Sequence, residues 1–144
     1  MSAREAVILS AARTGLAKSH RGSFNITHGV TMGGHVVEHA MARAGVDPDR
    51  IEDCVIGCGF PEGVTGQNVA RQIALRAGLP ITASGMTINR FCSSGLQSIA
   101  IASNAITQEG AGPMVAGGVE SISLVKTDVA ADQEAWLGEP GVGS

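Results

Sequence analysis

Tyrosine is absent from this chain, tryptophan occurs once and phenylalanine three times, so aromatics make up only 3% of its 144 residues. The core must therefore be aliphatic, and no patch of interleaved aromatic and basic residues exists to bind nucleic acid. Basic charge is scarce as well. The 10 Lys and Arg are outnumbered by 13 Asp and Glu, the net charge is -3, and the signs are mixed along the chain without a basic run. No nucleic-acid partner is expected. No apolar stretch approaches membrane-spanning length, so no membrane partner is expected either. Cysteine is sparse: three residues at irregular spacing make a poor disulfide framework. Ala6-Val7-Ile8-Leu9 follows Glu5 and is too short for the core of a signal peptide. These readings together predict a reducing, cytoplasmic setting.

Glycine, by contrast, is plentiful, with 20 residues, and 44% of the chain is hydrophobic. The length suits one domain with a real core, and the glycines allow backbones to approach each other or a ligand closely. The apolar pattern alternates between strand and helix. Strands are predicted at Ala6 to Ser10, Val55 to Phe60, Thr87 to Phe91 and from Met114 to Ala116. Helices are predicted from about Thr27 to Ala44, from Gly66 to Ala77 and from Ser93 to Gln108, with Gly45 closing the first. Short connections between alternating elements imply a layered α/β fold with a mostly parallel sheet. Beyond Glu120 the chain becomes polar and loses periodicity, ending in Gly138, Pro140, Gly141 and Gly143. Residues 1–120 read as one α/β domain and 121–144 as the start of an inserted segment.

The stretch Met86-Thr87-Ile88-Asn89-Arg90-Phe91-Cys92-Ser93-Ser94-Gly95-Leu96-Gln97 carries the chemistry. A strand runs straight into a helix, and Cys92 stands at the junction. Helix-start amides lack internal partners and concentrate positive potential, which favours a thiolate. The same amides can hold the oxyanion formed when a thioester carbonyl is attacked. Ser93 and Ser94 are candidate caps. Leu96, Ile99, Ala100, Ile101, Ala102, Ala105 and Ile106 spread around most of the helix, which predicts a buried helix presenting Cys92 at a pocket floor. On position alone, an inert core cysteine is an equal reading.

These residues resemble the thiolase active-site signature, in which an Asn and a basic residue precede the Cys of a small, Ser/Gly-rich turn. Three further segments agree in order and spacing: Ala11-Ala12-Arg13-Thr14, Gly66-Gln67-Asn68-Val69-Ala70-Arg71-Gln72 and Gly117-Gly118-Val119-Glu120-Ser121-Ile122-Ser123. The resemblance covers roughly residues 5 to 125. It implies a thiolase-like layered fold and an acyltransferase that makes or breaks 3-oxoacyl-CoA, with Cys92 as the nucleophile and a backbone N–H contributing to the oxyanion hole. Acyl-CoA and CoA are the implied substrates, and no separate cofactor is implied. The partners implied are a C-terminal thiolase half and further copies of the chain, as a homodimer or homotetramer, with an interface near Gly66 to Gln72. Two departures bear on substrate subclass: Gly15-Leu16 after Arg13-Thr14, and the glycine-rich Thr31-Met32-Gly33-Gly34.

Thiolase chemistry also needs a base for the cysteine and an acid/base for the α-carbon proton. The family supplies these from a His-Pro motif and a second Cys in its C-terminal half. Neither His20, His28, His35 nor His39 stands before Pro, so this chain alone is expected not to turn over.

Other constellations compete less well. His35-Val36-Val37-Glu38-His39 reads as H-x-x-E-H, a zinc hydrolase pattern, but Gly33-Gly34 weakens the helix and a third ligand is missing. Cys54 and Cys58 lie four apart on a predicted strand, about 13 Å, too far for one zinc ion. No metal site is expected. Glu62 stands where a dinucleotide fingerprint needs its last glycine. A ketosynthase-type condensing enzyme of the same fold is the nearest alternative.

Overall fold

A computed structural model describes residues 4–125. Among them, three parallel strands form one sheet in the order β2-β1-β3, with β1 at Asp53–Gly57, β2 at Ser84–Ile88 and β3 at Met114–Gly118. The register pairs Asp53 with Ser84 and Met114 at one end, and Gly57 with Ile88 and Gly118 at the other. Parallel strands require crossovers. Here these are α2 (Val69–Arg76) between β1 and β2, and α3 (Ser94–Asn104) between β2 and β3. A longer helix, α1 (Gly29–Ala44), precedes β1 and packs on α2. The expected α/β architecture is therefore present.

β1 is central, and its sequence reflects that: Cys54, Val55, Ile56 and Gly57 are all buried. A strand covered on both faces reads as a continuous apolar run. Val69, Ala70, Ile73 and Ala74 of α2 complete the core beneath it, joined by Val37 and Met41 of α1. Gly33, Val37 and Met41 lie on the buried face of α1, with Val30 packed against the core. Its glycines set the helix crossing: a Cβ at Gly33 would overlap the Ile73 side chain, and one at Gly34 would lie 2.6 Å from Arg76 Cγ. Gly45 ends α1 in the left-handed region at φ 62°, its N–H reaching the Ala42 and Met41 carbonyls.

Three expectations need correction. The strand predicted at Ala6 to Ser10 pairs with no strand among the described residues, and Val7, Ile8 and Leu9 are exposed. Side chains hold this segment instead: Arg4 Nη1 donates to Gly110 O (2.6 Å), Ser10 Oγ to Ala40 O (2.5 Å) and Arg43 Nη1 to Ala11 O (2.8 Å). The apolar run has strand composition, but a strand also needs a neighbouring edge to complete its ladder.

The second correction is register. The strand expected at Thr87 to Phe91 lies three residues earlier, at Ser84–Ile88, and the one expected at Val55 to Phe60 lies at Asp53–Gly57. Asn89 to Phe91 leave it to form the turn before α3.

The third concerns α3, which is not buried all round. Its buried residues are the small ones, Ser94, Ser98 and Ala102, while Leu96 is 72% and Ile99 44% exposed. The sheet lies too close for anything larger. A Cβ at Gly57 would overlap the Ser94 backbone, and one at Gly118 would lie 3.4 Å from Gly95 Cα. Cys92 is consequently exposed on these residues, not sunk in the middle of them. After Asn104 the helix widens into a π turn at Ala105–Glu109. The segment expected from 121 onward is described only as far as Val125, with a short 3₁₀ turn at Ile122–Leu124; the rest lies outside the described residues.

Candidate active site

The carboxyl ends of the three parallel strands lie at one end of the sheet, where the connection from β1 to β2 and that from β2 to β3 step across it in opposite directions. In open α/β sheets this is where a crevice forms. Beyond the last paired residues, the Cys58 amide still bonds Ile88 O (3.0 Å) and the Val119 amide bonds Gly57 O (3.0 Å). Cys92 stands at this end, in a 3₁₀ turn at Phe91–Ser93 that runs directly into α3.

The turn is tightly specified. Phe91 occupies the left-handed region at φ 47°, which a bulky side chain disfavours. Asn89 holds it there: Oδ1 accepts the Phe91 amide (2.7 Å) while Nδ2 donates to Gly59 O (3.1 Å). The two serines do not cap α3 as expected. Ser94 Oγ accepts the Arg90 amide (2.8 Å) and donates to Phe91 O (2.6 Å), and Ser93 Oγ donates to Arg90 O (3.0 Å). Both hydroxyls reach back into the turn, which is where its polar groups need partners.

Four of the five amides from Arg90 to Ser94 are thereby engaged within the turn. Arg90 N bonds Ser94 Oγ, Phe91 N bonds Asn89 Oδ1, Ser93 N bonds Arg90 O and Ser94 N bonds Phe91 O. Among the described residues this leaves the Cys92 amide as the one not committed to the turn. A thiol and a free amide on the same exposed residue are the parts that thioester attack needs: a nucleophile, and a donor for the developing oxyanion.

The other two cysteines are unsuited to this role. Cys54 is fully buried, and burial followed by the nearby Asp53 charge pushes its thiol up to about 12. Cys58 is pushed up to about 11, first by burial and then by the Glu120 carboxylate. Thiols this weakly acidic are poor nucleophiles at neutral pH. Core packing is the part these two residues play, as their sequence setting implied.

Cys92 opens onto a cavity of about 980 Å³ between the extended N-terminal segment, the sheet edge and α3. Its walls include Phe91, Gly95, Ile99, Gly118 and Glu120. Leu96 and Ile99 extend the apolar surface along the exposed face of α3.

The rival His35–His39 pair is differently equipped. The rings meet edge to face with centroids 4.3 Å apart. They border a small hollow of about 110 Å³ together with Arg13 and Arg43, while Glu38 does not line it. Two guanidinium groups oppose a cation there. No cluster of three or more His, Cys, Asp or Glu suited to a metal occurs among the described residues.

Two residues of the site had no role assigned from sequence: Asn89, which sets the Phe91 turn, and Glu120, which accepts the Gly59 amide (2.8 Å) and the Phe60 amide (3.2 Å). Both stood inside the quoted motifs. Apart from the Phe91 amide that Asn89 holds, their partners are backbone groups of the β1 loop, distant in sequence, and so left no local signal.

A family model described as the N-terminal domain of thiolase matches residues 6–139. The 3-ketoacyl-CoA thiolase of Bacillus subtilis is 44% identical over 122 residues, covering 85% of this chain and 31% of that protein. The acetyl-CoA acetyltransferase of Escherichia coli is 40% identical over 121 residues, covering 84% of this chain and 30% of that protein. A crystal structure of the Bacillus anthracis acetyl-CoA acetyltransferase superposes with a TM-score of 0.80 at 33% identity, over 86% of this chain and 31% of the other. The chain thus spans less than a third of the length of these relatives.

Proposed function

This chain belongs to the thiolase family through its N-terminal domain, and from that premise we propose that it supplies the nucleophile of an enzyme transferring acyl groups between Cys92 and coenzyme A. The observation that carries the reading is Cys92 itself. It is the exposed cysteine, at the carboxyl edge of the sheet, with its own amide left over from the turn. The B. subtilis and E. coli relatives are named for thiolase and acetyl-CoA acetyltransferase activity, which supports 3-oxoacyl-CoA as the substrate class.

In the cleavage direction the Cys92 thiolate adds to the 3-oxo carbon, and the oxyanion falls within reach of the Cys92 amide. Breaking the C2–C3 bond leaves the acyl group on sulfur, and the departing C2 takes a proton to give acetyl-CoA. A second CoA thiol then displaces the acyl group and returns the thiol to Cys92. The reverse sequence condenses two thioesters. Coenzyme A is a substrate throughout, and the scheme calls for no resident cofactor or metal.

The base and the acid at C2 come, in this reading, from a C-terminal thiolase half that covers the exposed α3 face. Phe91, Leu96 and Ile99 form an apolar surface there that water does not favour. Homodimer or homotetramer formation, a boundary near residue 120 and a cytoplasmic setting complete the proposal. No helix among the described residues is long and apolar enough to cross a membrane.

The test is CoA-dependent cleavage of acetoacetyl-CoA by the 1–144 chain, alone and with the C-terminal half of a thiolase relative added. Turnover should require both parts and vanish with Cys92→Ser. Turnover by 1–144 alone would place the base within these residues. Acceptance of the acyl group by an acyl carrier protein but not by free CoA would favour the ketosynthase reading.

A further inference from the structure

Glu120 follows β3 by two residues and turns its carboxylate back against the loop that leaves β1. Oε2 accepts the Gly59 amide at 2.8 Å, Oε1 accepts the Phe60 amide at 3.2 Å, and the Cys58 thiol lies 3.5 Å from Oε1. Hydrogen bonds from amides to an ionised carboxylate are about twice as strong as neutral ones. Both oxygens accept backbone amides, which holds the carboxylate against the loop that leaves β1.

What it grips leads to Cys92 in two steps. Gly59 O is the acceptor for Asn89 Nδ2, and Asn89 Oδ1 holds the Phe91 amide. Gly59 is also in direct contact with both sides: a Cβ there would lie 3.0 Å from Glu120 Oε2 and 3.6 Å from Phe91 Cα and O. One glycine thus separates the carboxylate from the residue that precedes the nucleophile. The C-terminal extensions of all three strands are tied together here by side chains, where the backbone ladder has ended.

We propose that Glu120 is a positioning residue for acyl transfer: it pins the Gly59–Phe60 backbone, and through Asn89 and Phe91 that backbone fixes where the Cys92 thiol and amide stand. The inference rests on Cys92 being the acyl-accepting nucleophile. Positioning and plain electrostatics have opposite signs at this site. The charged side chains that line the cavity with Cys92 are Arg13, Lys18 and Glu120. A carboxylate and an attacking thiolate carry like charge and repel. Neutralising it speeds Cys92 if charge is what counts and slows it if position is.

The experiment follows iodoacetamide alkylation of Cys92 by peptide mass spectrometry, from neutral to alkaline pH, in the 1–144 chain and in Glu120→Gln. Hydrogen exchange at the Gly59 and Phe60 amides is read on the same samples. Gln keeps the shape and one acceptor but offers its NH₂ to the other amide. Alkylation should slow about tenfold, the rate equivalent of losing one charge-assisted hydrogen bond, with faster exchange at both amides. Glu120→Asp keeps two acceptors on a shorter stem and should recover part of the rate. If Glu120→Gln unfolds, the Asp variant carries the test, and slower alkylation than in the parent supports the proposal. Unchanged or faster alkylation in a folded variant overturns it. Acetylation of the parent chain by acetyl-CoA with the C-terminal half of a thiolase relative added, measured alongside, separates the two readings. A parent that alkylates but never takes an acetyl group contradicts acyl transfer. An alkylation rate untouched by the substitution contradicts the role of Glu120.

Discussion

Asn89 Oδ1 accepts the Phe91 amide at 2.7 Å, and this one bond holds a phenylalanine at φ 47° immediately before the nucleophile. The same side chain donates to Gly59 O at 3.1 Å. Asn89→Ala removes both bonds and leaves the turn without its support. A loss of about 1–3 kcal/mol in stability is expected from the unpaired groups, together with markedly slower alkylation of Cys92. Adding Phe91→Gly should return part of the stability, because glycine occupies the left-handed region without strain. Urea denaturation and peptide mass spectrometry on the single and double variants check both expectations.

Two glycines permit close approaches of different kinds. A Cβ at Gly33 meets the end of the Ile73 side chain, whereas one at Gly57 meets the Ser94 backbone at the first turn of α3. Gly33→Ala should cost about 1–3 kcal/mol, as overpacking does, and leave Cys92 labelling unchanged. Gly57→Ala should cost more, because backbone cannot rotate away, and should also slow labelling. Equal labelling in the two variants would separate the α3 start from the placement of Cys92.

The fold was legible where burial dictates residue type. The strand read at Val55 to Phe60 exists, starting two residues earlier, because a central parallel strand is apolar on both faces, and Gly45 read as a helix stop because the left-handed cap favours glycine. Ala6 to Ser10 misled because composition reports the propensity for a strand and not the presence of a neighbouring edge. In α3 the apolar residues did not report burial. The inner face is set by Ser94, Ser98 and Ala102 against the sheet glycines, and the larger Leu96 and Ile99 lie outside. The candidate site was legible at Cys92 from its place between strand and helix. Asn89 and Glu120 were hidden because each acts on the backbone of Gly59, 30 and 61 residues away.

The buried thiols predict a response to alkali. The ordinary cysteine value is 9.0, and burial raises Cys54 to about 12 and Cys58 to about 11. The unfolded chain therefore releases these protons first as pH rises. Stability contributed by the protonated thiols is fully present below pH 9.0 and is lost as pH climbs through the raised values. The urea midpoint of the 1–144 chain should fall over that range. A Cys54→Ala, Cys58→Ala double variant starts lower, from lost packing, but should show a flatter decline. An equally steep decline would assign the alkaline sensitivity to other groups.

The central claim is that Cys92 accepts an acyl group, and its most direct measurement is acyl capture. The 1–144 chain and its Cys92→Ser variant, each with the C-terminal half of a thiolase relative added, are incubated with acetyl-CoA, digested and examined by mass spectrometry. The account predicts one acetyl group on the Cys92 peptide, removed by hydroxylamine as a thioester should be, and none on the peptides carrying Cys54 or Cys58. The Cys92→Ser variant should carry no hydroxylamine-labile acetyl group. Acetyl found on Cys54 or Cys58, or a Cys92 that iodoacetamide labels readily but acetyl-CoA never does, would contradict the account.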